Sequence, residues 1–194
     1  MTTVNGLPAH VLLVHAIVVL LPLSALLLML TAVWAPARRR LAGPNAILSV
    51  VVVALVPITT SAGEWLEHRV ASTALVRAHT ELGDTALVVA IGVGVMALVV
   101  WWRGRELSYP AEPAAGAAPV LDESGNTQVG TATLTRSATG RRTFLAPASM
   151  AATVVIAVLS IVAGGVAVYD VYRIGDSGAK ASWDGKVASG PANR

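Results

Sequence analysis

The feature that most limits what this chain can fold into is an uncharged apolar run close to its start. From Val11 to Val33 the sequence contains no Lys, Arg, Asp or Glu. An α-helix needs roughly 20 apolar residues to cross the hydrocarbon core of a bilayer. Because no water is available there, the backbone has to satisfy its own polar groups, and a helix does so within one segment. The run therefore predicts a transmembrane helix.

Three further apolar runs follow, and we predict four spans in all, at about residues 11–34, 46–62, 85–102 and 144–169. Gly43-Pro44-Asn45 predicts a turn before the second span. Residues 103–143 are predicted to form a long connection on the cytoplasmic side, and residues 174–194 an outer tail. The composition suits lipid, since only 13% of residues are charged against the usual quarter. The predicted fold class is all-α, a four-helix transmembrane bundle in one integral membrane domain.

The chain lacks the motifs of several common classes. It has no cysteine, which excludes disulfides, thiolate metal clusters and covalently attached c-type haem. Any metal would be held by His, Met, Tyr or a carboxylate. Nucleophile-elbow, His-Glu-x-x-His and Walker-type motifs are absent. Basic residues cluster at span ends rather than in a stripe for nucleic acid, and the absence of charges at mid-span argues against an ion-coupled transporter.

The charge distribution predicts an orientation. An even number of spans places both termini on one side of the membrane. The two connections on the other side hold eight basic and four acidic residues, including Arg38-Arg39-Arg40, whereas the side of the termini holds six basic and seven acidic residues. Lys and Arg are in excess on the cytoplasmic side of membrane proteins. We therefore expect a multi-pass protein of the cell membrane with both termini extracytoplasmic.

All four histidines fall at the predicted outer end of the bundle. His10 and His15 lie at the start of the first span, His68 follows the second span, and His79 precedes the third. Ionisable groups at membrane depth are costly and usually functional, so the four histidines are candidate metal ligands. His10 and His15 are five residues apart, about 140° around a helix, and cannot share a face. Of the two, we expect His15 to face the bundle.

Facing imidazoles on two helices of a four-helix bundle are a common way to hold haem or a metal ion. We predict that His15 and His79 bind a b-type haem or another redox metal, and that the protein transfers electrons in a respiratory-type assembly. Gly83 follows His79 by four residues and would leave space above a flat ring. Three arginines at the same end suit propionates or other anionic groups: Arg69, Arg77 and Arg173.

Two other interpretations stay open. A histidine at a span end is often an interfacial residue, and glycines in membrane helices most often permit close packing. The chain would then be a cofactor-free accessory subunit of a membrane complex. It would contact other membrane subunits, or a second copy of itself, through its small residues: Gly83, Gly92, Gly94, Gly164 and Gly165. An enzyme that uses a His/Glu pair on a lipid or small molecule is the third class.

The chain resembles the domain-of-unknown-function family twenty-two thirty-one, which comprises small four-helix bacterial membrane proteins. The resemblance rests on Gly-Leu-Pro-x-His10 and Val-His15 at the start, Glu64 after the second span, His79, and Val-Tyr-Arg173-Ile-Gly-Asp-Ser-Gly-Ala-Lys180 at the end. Relatives typically open with His-Pro-Leu-Leu-Val-His-Phe-Pro and often have His where this chain has Asp176. The resemblance implies the fold and topology, and the layout is similar to that of four-helix b-type cytochromes.

Overall fold

The computed structural model describes residues 3–4, 7–70, 72–108, 145 and 149–183, and these are almost entirely helical. Two short strands, β1 (Thr3–Val4) and β2 (Leu7–Pro8), pair antiparallel before the first helix. Five helices follow: α1 (Ala9–Val33), α2 (Ala35–Glu67), α3 (Ala74–Gly83), α4 (Thr85–Ser108) and α5 (Met150–Trp183). Four stretches of these residues are long and apolar enough to cross a membrane. The predicted all-α class and the number of membrane-length helices are confirmed.

The four long helices form a ring in which neighbours run antiparallel. The α1 helix packs against α2 and α5, and α4 packs against the same two helices from the opposite side. Small residues fill the centre, where Ala25, Ala90 and Ala167 are at most 1% exposed. Small side chains let helix backbones approach closely, as membrane helices require. Large apolar side chains such as Val88 and Ile47 point outward, which suits a surrounding bilayer.

The second span differs from the sequence prediction at its start. No turn forms at Gly43-Pro44-Asn45, because α2 begins at Ala35 and continues through these residues. The chain reverses instead at Trp34, whose backbone is extended, and Pro36 lies in the first turn of α2, where a missing N–H costs least. Gly43 lies against the indole of Trp101 on α4. With 33 residues, α2 is about 50 Å long and exceeds the hydrocarbon thickness.

The last helix also extends beyond its predicted end. The predicted fourth span closes at residue 169, but α5 continues to Trp183, so that residues 174–183 of the predicted tail are helical. The short α3 helix packs against this extension. The α4 helix begins at Thr85, where the third span was predicted to begin. Residues 109–143 of the predicted connection and residues 184–194 of the tail lie outside the described residues.

The glycines predicted to mediate packing fall into two groups. Gly94 packs α4 against α2, and Gly164 packs α5 against Met29 of α1. These two therefore serve contacts within one chain. Around the other three, an added Cβ would meet nothing within 4 Å: Gly83, Gly92 and Gly165. Contact with another subunit through these three positions stays a prediction.

Candidate functional site

His10 is hydrogen-bonded to α2 at a position where a glycine leaves room for its imidazole ring. Its Nδ1 lies 2.9 Å from the carbonyl oxygen of Thr59. Gly63 follows Thr59 by one helical turn, and a Cβ at Gly63 would come within 2.9 Å of the His10 Cε1. Because a carbonyl oxygen can only accept a hydrogen bond, the Nδ1 of His10 carries the proton. The Nε2 is then the ring nitrogen with a lone pair when the imidazole is neutral.

His79 is anchored to α5 in the same way. Its Nδ1 lies 2.9 Å from the Oγ of Ser177, and that hydroxyl donates its proton to the carbonyl oxygen of Ile174 at 2.9 Å. The Ser177 oxygen therefore accepts, and the Nδ1 of His79 donates. The ring lies over Gly178, where a Cβ would come within 3.0 Å of the His79 Cε1. His79 is partly buried as a result.

The two contacts repeat one arrangement on two pairs of helices. In each, an imidazole lies over a glycine and its Nδ1 is held by a polar group of the opposing helix. We call the two imidazoles and their partners the histidine site, and the end of the bundle that carries them, where α1 begins and α2 ends, the histidine end.

The other two histidines lie outside this site. His15 is exposed, and its Nδ1 turns back to the carbonyl oxygen of Val11 in its own helix at 2.6 Å. His68 is exposed at the end of α2, where its backbone N–H caps the helix. The angle of about 140° between His10 and His15 does turn only one of them toward the bundle. That residue is His10, which contacts α2, whereas the sequence predicts His15, which is exposed.

The three arginines predicted for anionic groups are exposed and contact their own surroundings. The guanidinium of Arg69 stacks 3.7 Å from the Trp65 ring and donates to the Trp65 carbonyl at 3.0 Å. Arg77 donates to the hydroxyl of Ser72 at 3.3 Å. Arg173 lies 5.8 Å from the Tyr169 ring. A role for these arginines in binding propionates stays a prediction.

A buried carboxylate lies beside the site on α5. Asp170 is 5% exposed, and the hydroxyl of Thr85 lies 2.9 and 3.0 Å from its two carboxylate oxygens. Because Thr85 starts α4, this contact fixes the beginning of α4 against α5. The same hydroxyl lies 2.7 Å from the Leu82 carbonyl oxygen, so its one proton is shared between an acceptor on α3 and the carboxylate on α5.

Sequence reasoning missed the residues that position the imidazoles. Gly63 and Gly178 read as ordinary glycines near helix ends, and Ser177 reads as a polar tail residue. Their role depends on which helices are neighbours and on how those helices are aligned along the bundle axis. A local sequence pattern contains no information on either. The one usable signal was topological, since the alternation of spans brings all four histidines to one end.

The donor set limits what the histidine site could hold. Within the described residues there is no group of three or more His, Cys, Asp or Glu side chains placed to hold a metal ion. Structural and catalytic zinc sites take three or four protein ligands. Two imidazoles held through their Nδ1 atoms instead suit a group that brings most of its own metal ligands, and haem is such a group.

No family model, no curated protein and no solved structure matches this chain. The resemblance to the domain-of-unknown-function family therefore stays a prediction from the residues quoted above. What can be said of function rests on the residues of the histidine site and on the membrane-length helices that carry it.

Proposed function

We propose that this integral membrane protein holds a b-type haem, or another redox metal group, through the Nε2 atoms of His10 and His79, and transfers electrons in a respiratory-type assembly. One observation carries the proposal. Two imidazoles from different helices lie at one end of the bundle, and each has its Nδ1 held by a carbonyl or hydroxyl oxygen. Metal-ligating histidines almost always donate their other ring N–H to such a partner.

The choice of haem follows from the number and type of donors. Haem brings most of the ligands of its own iron, and the imidazoles of His10 and His79 would supply the protein's share. The chain has no cysteine for covalent attachment, so the haem would be of the b type. When bound, the haem would supply one-electron redox chemistry, and the protein would set its potential through the two imidazoles and their surroundings.

The chain's own residues orient the two imidazoles. The Thr59 carbonyl and the Ser177 hydroxyl fix the tautomers and the direction of each ring. Gly63 and Gly178 let each ring approach the opposing helix closely. The three exposed arginines of the histidine end would not be needed to hold the haem, because the two imidazoles would do so.

We place the histidine end on the outer face of the cell membrane. The opposite end carries the triple arginine of α2 together with Arg103 and Arg105 of α4. Such an excess of arginine is typical of the cytoplasmic side. The proposed redox group would then exchange electrons with a partner on the extracytoplasmic side.

The test is a visible spectrum of the detergent-purified chain, expressed with haem available and recorded before and after dithionite reduction, with iron analysis on the same sample. We expect a Soret band that shifts on reduction and sharp α and β bands. His10→Ala and His79→Ala should each lose these bands. His15→Ala is the matched control, since His15 lies on the same helix but is exposed. A spectrum without haem bands, or their loss in His15→Ala alone, would refute the proposal.

A cofactor-free accessory subunit is the second candidate, and one observation favours it. Each imidazole fills the space above its glycine and so joins two helices, α1 to α2 and α3 to α5. Contacts of this kind stabilise a bundle without any ligand. The same samples separate the two functions, because an accessory subunit would be colourless as wild type. His10→Ala and His79→Ala would then lower only its melting temperature.

A further inference from the structure

The end of the bundle opposite the histidine site contains a cavity lined by arginines. It lies between the first turns of α2 and the last turns of α4 and has a volume of about 660 Å³. We call it the arginine cavity. Its lining includes four guanidinium groups and two large apolar side chains: Arg38, Arg39, Arg40, Arg105, Trp101 and Leu107. Its size lies within the range of small-molecule binding sites.

We propose that the arginine cavity binds the phosphate headgroup of an anionic phospholipid. Guanidinium groups match phosphate oxygens through paired N–H donors. Basic pockets between membrane helices are a recurring way to hold anionic headgroups. This site lies at the opposite end from the histidine site, so the inference stands apart from the proposed haem.

The charges that the described residues place around the cavity are mostly positive. Within the described residues of this end the single carboxylate is Glu106, which accepts hydrogen bonds from Trp102 and from the backbone N–H of Leu145. Arg103 is buried and donates to α5 rather than lining the cavity. Along the described chain, no carboxylate forms an ion pair with the three consecutive arginines of α2. An anion is therefore the ligand that this lining favours.

The apolar part of the lining selects a lipid over a free phosphate ion. Trp101 and Leu107 line the cavity itself, and Trp102 beside them is 51% exposed. A phosphate ion gains nothing from these side chains. A phospholipid places its phosphate among the guanidinium groups and its glycerol and acyl chains against the indoles and the outward apolar face of the bundle.

The experiment titrates the full chain in non-ionic detergent with phosphatidylglycerol or phosphatidylcholine and counts bound lipids by native mass spectrometry. The variant R39Q/R40Q/R105Q removes three charges from the cavity, and R69Q/R77Q/R173Q removes three exposed charges from the histidine end. Arg38 is left in place because it lies 3.5 Å from the Ala32 carbonyl at the α1–α2 reversal. Folding is checked by elution volume and melting temperature, and R39Q/R40Q, with both residues exposed, replaces the triple variant if that one is unstable.

We expect wild type to prefer phosphatidylglycerol, and the cavity variant to lose affinity for it by about tenfold or more, since each arginine near a headgroup contributes to its attraction. The histidine-end variant should bind as wild type does. Equal losses in the two triple variants would overturn the proposal, because the effect would then be one of total charge. Displacement of the lipid by inorganic phosphate at millimolar concentration would also overturn it, since the cavity would then be a site for the free ion.

Discussion

The two ends of the bundle use cationic and polar side chains in opposite ways. At the histidine end the imidazoles of His10 and His79 each have one Nδ1 partner and one glycine beneath them, so their positions are determined by the packing of two helices. At the opposite end of the bundle, which we call the arginine end, four guanidinium groups line an open cavity. Positive charge is concentrated there, and the exact position of each side chain matters less. The first arrangement suits a group whose geometry is demanding, and the second suits a ligand recognised by charge. Substitutions at each end can test whether this contrast is real.

The largest effect should come from Arg103, which among the described residues is the one buried arginine at the end opposite the histidines. Arg103 is 2% exposed and donates to the Ser149 carbonyl at 3.1 Å and to the Thr153 hydroxyl at 2.6 Å, at the start of α5. Arg103→Ala leaves these acceptors without the charged donor and opens a cavity, so we expect the free energy of unfolding to fall by about 3 kcal/mol. Titration of the detergent-solubilised chain with SDS measures it.

The control for this change is Arg39→Ala at the same end of the bundle. Arg39 is exposed, so its replacement should change the free energy of unfolding by less than about 0.5 kcal/mol. If Arg103→Ala lowered the free energy of unfolding as little as Arg39→Ala, then Arg103 would not join α4 to α5. The arginines of this end would then contribute only their charge.

The next effect concerns the glycines under the imidazoles. Gly63→Ala and Gly178→Ala each place a methyl group within about 3.0 Å of an imidazole carbon, and the ring has to move away. We expect each to lower the free energy of unfolding by about 1–2 kcal/mol, as overpacking does. The haem bands expected of the wild type should weaken in parallel.

Gly175→Ala is the matched control, three residues before Gly178 on the same helix. An added Cβ there meets nothing within 4 Å, so the better helix propensity of alanine should raise stability by about 0.5–1 kcal/mol. Opposite signs for Gly175→Ala and Gly178→Ala would confirm that the imidazole contact sets the geometry of the histidine end. Equal gains would show that His79 is easily displaced.

The sequence predicts the membrane-length helices well because the absence of charge over some twenty residues has one stable outcome in a bilayer. It predicts their ends poorly. Gly43-Pro44-Asn45 has the composition of a turn, yet these residues lie inside the continuous helix α2, where Gly43 contacts Trp101 of α4. The helix α5 extends beyond its predicted end, and α3 packs against it. Both outcomes depend on tertiary neighbours.

The candidate site shows the same division. The chain order of the spans is enough to bring the four histidines to one end, and the spacing of His10 and His15 is enough to show that they diverge. Which of them turns inward depends on the rotation of α1 against α2, and that rotation is set by packing along the whole helix pair, including the buried hydroxyls of Ser24 and Ser49, 2.8 Å apart. The spacing of residues within one segment does not reveal this rotation.

A smaller effect is expected from the contact below the histidine site. Thr85→Val keeps the shape of the side chain but removes the hydroxyl that donates to the buried Asp170. We expect a loss of about 1 kcal/mol in the free energy of unfolding, the usual value for a buried hydrogen bond. Thr80→Val, which removes only a bond to the nearby Arg77 carbonyl, should cost less. Equal effects would mean that Asp170 finds another donor.

The smallest effect is expected from the ion pair of the α5 extension. Lys180 and Asp176 are 2.6 Å apart on one helix, with 64% and 44% of their side chains exposed. Water and salt screen such a pair, so Asp176→Asn should leave the melting temperature unchanged within error at both low and high salt. Residues of the same extension hold His79 by packing and by the Ser177 hydroxyl, and neither contact depends on salt. A clear fall in melting temperature at low salt that disappears at high salt would contradict this expectation, and would mean that the ion pair stabilises the α5 extension through its charge.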